Sequence, residues 1–138
     1  MKKNCHHGPR SRARDLIVQS LYQIQITGQT AQEVKIQFRE RPNYEFADKD
    51  YFEEALISIC DSWDSLEKDM INFLDRPIAQ LDPVEKSILL LGFYELNHNS
   101  DVPFKVVINE SIELAKRFGA LDSHKYINAI LDRVAEKF

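Results

Sequence analysis

Residues 81–99, LDPVEKSILLLGFYELNHN, decide the fold. Asp82 is a good N-cap, Pro83 suits the first helical position, and Glu85 stands where a capping-box carboxylate reaches back. Beyond that start, Val84, Ile88, Leu89, Leu90, Leu91, Phe93, Tyr94 and Leu96 leave almost no polar face. A helix that is apolar nearly all round has to be buried on several sides. This one is too short, and too charged at its ends, to span a membrane. Gly92 costs about 1 kcal/mol inside a helix relative to Ala, so another element is expected to cross closely there. The segment reads as the central helix of an all-α domain, with the others packed around it.

Working outward, the polar run Asn97 to Asp101 reads as a turn and Pro103 opens the next helix, carrying Val107, Ile108, Ile112, Leu114, Ala115 and Phe118. Lys116 and Arg117 complement its C-terminal dipole, and Gly119 stops it. The last helix starts at Asp122 or Ser123 and uses Ile127, Ile130, Leu131, Val134 and Phe138. On the other side, Arg76-Pro77 is a linker. Before it, a long helical segment runs from Asp48 or Lys49 to Leu74, which Asp61-Ser62 can divide in two. A first helix from Arg10 or Ser11 to about Thr27 has Leu16, Ile17, Leu21 and Ile24 on one face and Gly28 as its stop. A shorter one fits Thr30 to Arg41, Pro42-Asn43 ends it, and residues 43–47 read as a loop. Six or seven helices with short connections make an all-α bundle.

A chain of 138 residues is most simply one domain with a real core. No apolar run reaches transmembrane length and the N-terminus lacks a signal peptide's apolar core. Cys5 and Cys60 make no disulfide framework, so a reduced, cytoplasmic protein is expected. The net charge of −4 hides an asymmetry: Lys2, Lys3, Arg10, Arg12 and Arg14 give residues 1–14 a charge of +5 with no acid. The remaining 13 bases face all 22 acids, so residues 15–138 carry −9. An acidic body does not bind nucleic acid over its whole surface, but a basic arm on it can do so locally.

That arm is the most informative chemical feature. Arg10, Arg12 and Arg14 crowd the first turns of a helix, where the dipole disfavours cations, at a cost of only tenths of a kcal/mol each if the side chains are exposed, as expected here. A ligand with phosphates explains the placement, since the guanidinium fork binds phosphate and stacks on bases. A solvated basic terminus accounts for the same residues, and composition does not choose between the two. Cys5, His6 and His7 are metal-ligand types, but three adjacent ligands lack the spacing of a structural zinc site, and no metal or cofactor is expected. Cys60 reads as a small core residue, His98 as a turn residue, and His124 as a surface residue in the first turn of the last helix. The acidic pairs Asp61 and Asp64, Glu67 and Asp69, and Glu110 and Glu113 read as solvated faces. There is no P-loop, no GxGxxG and no zinc-binding CxxC, so an enzyme is not expected. Tyr22, Tyr94 and Tyr126 suit a half-buried core site, an interface or a base stack; Tyr94 reads as core and Tyr126, offset from its helix's apolar stripe, as an exposed contact.

Three stretches then resemble a known family. DVPFKVVINESIELAKRFGALDSHKYINAILDRV, from Asp101, is similar to the C-terminal signature of the NusB transcription antitermination family. LDPVEKSILLLGFYEL resembles that family's central helix, and RSRARDLIVQSLYQIQ its Arg-rich first helix. The resemblance covers the chain from about Arg10 onward. It implies an all-helical fold of two small packed bundles, roughly 10–75 and 76–138; residues 1–9, which read from their own sequence as a flexible basic tail ending at Gly8-Pro9, have no counterpart in the family. It implies a non-catalytic function: pairing with the ribosomal protein NusE, binding single-stranded boxA RNA of nascent transcripts, notably of ribosomal RNA operons, and helping load a complex with other Nus factors on RNA polymerase. Carried onto matching positions, the RNA contacts are Arg10, Arg12, Arg14, Tyr22, Asp122, Lys125 and Tyr126, and Glu85 lies near the junction of RNA and NusE. Ser11 separates Arg10 from Arg12, where the family's arm often has consecutive arginines.

Two other classes compete. The same helical fold serves as the RNA-binding domain of an RNA cytosine methyltransferase family, but a chain ending at Phe138 leaves no room for the catalytic domain. The other is a protein-only helical adaptor or a homodimer, with the basic arm incidental.

Overall fold

In a computed structural model, which describes residues 8–98 and 101–137, the segment of highest hydrophobicity forms helix α5, Pro83–His98. Asp82 Oδ1 starts it, accepting from the amides of Val84 at 2.6 Å and Glu85 at 3.4 Å. Nine consecutive residues, Ser87 to Glu95, are buried, as a helix apolar on all sides requires. The helix runs on through His98, expected in a turn, whose ring stacks on Tyr94 at 5.6 Å. The readings on Lys2, Lys3, Cys5, His6, His7, Asn99, Ser100 and Phe138 lie outside the described residues.

The preceding helices are α1 Pro9–Thr27, α2 Ala31–Phe38, α3 Lys49–Asp61 and α4 Trp63–Ile71; α6 Phe104–Phe118 and α7 Ser123–Ala135 follow α5. Among the described residues there are seven α-helices, and the all-α expectation holds. The chain sorts into two compact units, one ending at Asp61 and the other beginning at Ser62. Ser62, at φ −102° and ψ 11°, leaves the helical region, so the polar pair Asp61-Ser62 divides the long segment as its sequence suggests.

In the first unit α1 lies against α2 and α3. Leu16, Ile17, Leu21, Val34, Phe38, Phe52, Leu56 and Ile59 are its buried centre. Phe38 stacks on Phe52 with ring centroids 6.1 Å apart, and Tyr44 meets Phe52 edge-on at 5.9 Å. Thr30 and Glu33 cap α2 reciprocally. Residues 43–47, expected as a loop, instead fall largely within the 3-10 turn Pro42–Phe46, which Pro42 starts and which seats the Tyr44 ring on the core.

In the second unit α5 touches α4, α6 and α7. A β-carbon on Gly92 would lie 3.3 Å from both Leu131 methyls and 3.5 Å from Ser111 Oγ, so α7 and α6 make the close crossing expected there. Gly119 is required by proximity rather than by its backbone angles: a β-carbon would stand 2.7 Å from the Ala115 carbonyl oxygen and 2.8 Å from Ser123 Cβ. That tight corner fixes the start of α7.

Candidate nucleic-acid interface

The two units each bring part of the expected set together. In the first, α1 begins at Pro9 with no acid in its opening turn. The missing negative charge comes from Asp48. Its Oδ1 accepts from the Tyr51 amide at 3.1 Å, capping α3, while Oδ2 takes Arg10 Nε at 3.2 Å. The Asp48 amide donates to the Pro9 carbonyl at 2.9 Å, so the segment before α3 is tied by backbone to the head of α1. The Arg10 guanidinium also lies over the Tyr51 ring, 3.9 Å from its centroid.

Arg12 stands half-buried with its guanidinium 5.8 Å from the centre of the Phe46 ring. Arg14 corrects an expectation: it is 4 % exposed, not a solvent-facing cation, and its guanidinium lies 5.9 Å from the Tyr51 ring. Tyr51 therefore has guanidinium groups from both Arg10 and Arg14 around it. Tyr22 is 42 % exposed on α1, about 18 Å further along the axis than Arg10 at 1.5 Å per residue, so it is not gathered with the arginines.

In the second unit, Glu85 does something other than cap its own helix. Its carboxylate accepts from Ser123 Oγ at 2.8 Å, and the same Oγ accepts from the Ala120 amide at 3.1 Å. The first turns of α5 and α7 are thereby joined, and Ser123 is buried. Asp122 and Lys125 are exposed and 3.6 Å apart, a pair of little energetic weight. Tyr126, expected as an exposed contact, is half-buried. The Arg76 guanidinium lies 4.3 Å from its ring centre, and its phenol oxygen is buried without a partner of hydrogen-bonding geometry. Burial above all pushes the phenol's pKa up; the Asp75 and Glu85 carboxylates add to this and Arg76 opposes it. Arg76 itself pairs with Asp75 at 2.9 Å. Tyr94, by contrast, is buried as expected.

Asp48, Tyr51, Phe46, Arg76 and Ser123 are the participants that sequence reasoning missed. Each acts on a residue distant in sequence, and no local signal announces that contact. Nothing in either cluster is arranged for covalent chemistry. Cys60 is half-buried rather than core, and burial together with Asp61 pushes its thiol up to about 11, which leaves it protonated and unreactive at neutral pH. Glu67, expected to be solvated, accepts from Trp63 Nε1 at 2.9 Å and pairs with Lys86. Among the described residues no group of three His, Cys, Asp or Glu side chains could hold a metal, and no helix is long and apolar enough to cross a membrane.

Guanidinium groups over aromatic rings at the head of one helix are chemically suited to a phosphate-bearing, base-bearing ligand. The model of the NusB family matches residues 11–136. The chain belongs to the NusB family. It is 48 % identical over 124 residues to the transcription antitermination protein NusB of Halorhodospira halophila (strain DSM 244 / SL1), covering 90 % of this chain and 79 % of that one. Against the protein of the same name from Pasteurella multocida (strain Pm70) it is 45 % identical over 127 residues, 92 % of this chain and 88 % of the relative. The solved structure of T. maritima NusB superposes with a TM-score of 0.83 at 27 % identity, across 99 % of this chain and 94 % of that one. The activity of the NusB family is transcription antitermination, not catalysis.

Proposed function

We propose that this chain acts in antitermination by binding boxA-type single-stranded RNA of nascent transcripts together with the ribosomal protein NusE, within a Nus complex on RNA polymerase. One observation carries the reading: Arg10 and Arg12 project from the head of α1 beside aromatic rings, on a chain whose residues 15–138 carry −9. Cations of that kind give salt-dependent phosphate affinity, and unpaired bases stack on exposed aromatic or guanidinium faces. Tyr22 adds an exposed ring on the same helix. Arg14, being buried, acts from beneath by holding Tyr51. The second unit contributes Asp122, Lys125 and Tyr126, with Glu85 and Ser123 setting the start of α7. The acidic remainder calls for a basic partner to complete an RNA-binding surface, and NusE fills that role.

The test is fluorescence anisotropy of a labelled boxA-type RNA, with and without NusE, across a potassium chloride series. The reading expects weak binding by the chain alone and binding at least tenfold tighter with NusE, both weakening with salt. Equal affinity in the two conditions would remove NusE from the proposal; no binding in either would remove RNA.

A further inference from the structure

Phe46 closes the 3-10 turn Pro42–Phe46 and leaves 60 % of its surface exposed. Single exposed apolar residues are ordinary, but this one is held in place and in company. Ala47, next to it, is buried, and the Asp48 amide is bonded to the Pro9 carbonyl, so the backbone that follows Phe46 is tied to the head of α1. Arg12 reaches to 5.8 Å from its centroid and Arg10 lies over Tyr51 close by in sequence. The exposed Lys49 follows at the start of α3, its Nζ 5.7 Å from the Tyr44 ring.

We infer that Phe46 is a base-stacking residue of the RNA-binding surface, taking one unpaired nucleobase while Arg12 takes an adjacent phosphate. The inference rests on the RNA reading above. Charge is not the whole source of affinity here, because Asp48 already pairs with Arg10, Glu45 lies within the turn and Asp50 follows it in α3. A surface of arginines so offset must draw on stacking, and an exposed phenyl ring supplies a π-face that any base can use. A ring beside a guanidinium also matches the alternation of phosphate and base along a single strand.

The experiment measures boxA-type RNA affinity and its salt slope for the full chain and for Phe46→Ala, Phe46→Leu and Phe46→Tyr, each with and without NusE. Removing one stacked base predicts affinity about tenfold weaker for Ala and Leu, recovery with Tyr, and an unchanged salt slope because no charged group is altered. The melting temperature should not move, since the ring is exposed, which separates recognition from folding. Full affinity in the Ala and Leu variants overturns the inference. So does recovery with Leu, which would make Phe46 a merely apolar contact, and so does a weakening seen only in the presence of NusE, which would make it a protein contact. If the unaltered chain binds no RNA in either condition, the RNA reading falls and this inference falls with it.

Discussion

At the head of α1, Arg10 lies over Tyr51 and pairs with Asp48, with Phe46 and Tyr22 exposed on the same unit. At the head of α7, Tyr126 lies beneath Arg76 while Glu85 and Ser123 bond to each other. In the first unit the aromatic groups hold the cations and leave ring faces open to solvent. In the second, the ring is covered by a guanidinium and the carboxylate and hydroxyl are engaged with each other. The difference separates two kinds of contribution. A half-exposed guanidinium resting on a ring keeps donors for phosphate at low ordering cost, whereas a bonded carboxylate–hydroxyl pair fixes the geometry of the exposed Asp122 and Lys125 nearby in sequence.

The comparison breaks most visibly at the arm. Arg10→Glu with Arg12→Glu should weaken RNA binding by at least about a hundredfold, roughly 2.7 kcal/mol, and lower the slope of log affinity against log salt by about 0.7 for each phosphate no longer neutralised. Loss of the Arg10–Asp48 pair should itself cost about 1 kcal/mol of folding stability at most, because the pair is exposed. Anisotropy across a salt series reads the first effect and thermal denaturation the second. Affinity within threefold of the unaltered chain would show that the cations at α1 are merely solvated.

The second unit should respond in the opposite sense. In Gly119→Ala the added carbon meets a backbone oxygen and a β-carbon, neither of which can rotate away, so the start of α7 must shift. The expected cost is about 1–3 kcal/mol of stability, with the Glu85–Ser123 bond broken as its partners separate. Thermal denaturation measures the cost. An unchanged melting temperature would mean that the corner adjusts freely and that Glu85 and Ser123 fix nothing.

How much of this was legible follows from the reach of each signal. The buried run along α5, the cap at Asp82, the crossing at Gly92 and the break at Asp61-Ser62 are all written in residues a few positions apart, and periodicity or capping chemistry reads them. The burial of Arg14 was not legible. Arginine is a surface residue by default, and the ring beside it, Tyr51, comes from another helix. The Glu85 carboxylate sits in capping-box register, and local reasoning assigned it there; a hydroxyl brought in by α7 claims it instead. Tyr126 failed as an exposed contact for a similar reason, since helical offset cannot foresee Arg76 arriving from the linker before α5. The resemblance to the NusB family named residues and roles, but not the neighbours that hold them.

A last test sharpens the comparison through pH, with the smallest effect. In the first unit Arg39 Nε and Nη2 grip Glu53 at 2.9 and 3.2 Å, and Tyr44 donates to it at 2.7 Å. Arg39, first of all, holds the Glu53 carboxyl below its ordinary range, with the Tyr44 hydroxyl helping and burial opposing. A carboxyl whose pKa is lowered by folding contributes stability above its unfolded value, and that contribution disappears as pH falls through the folded one. The melting-temperature gap between the unaltered chain and Glu53→Gln should therefore be widest near neutrality and close as pH falls below about 4. The gap should amount to no more than about 1 kcal/mol, or about 2–4 °C, because Arg39 and Glu53 are 47 % and 28 % exposed. Hydrogen exchange should place the acid effect in α2 and α3, with α5 to α7 unaffected by the substitution. A gap that persists into acid would mean that Tyr44 and packing, rather than the ion pair, hold the 3-10 turn against the core, and the turn would then carry Phe46 without help from charge.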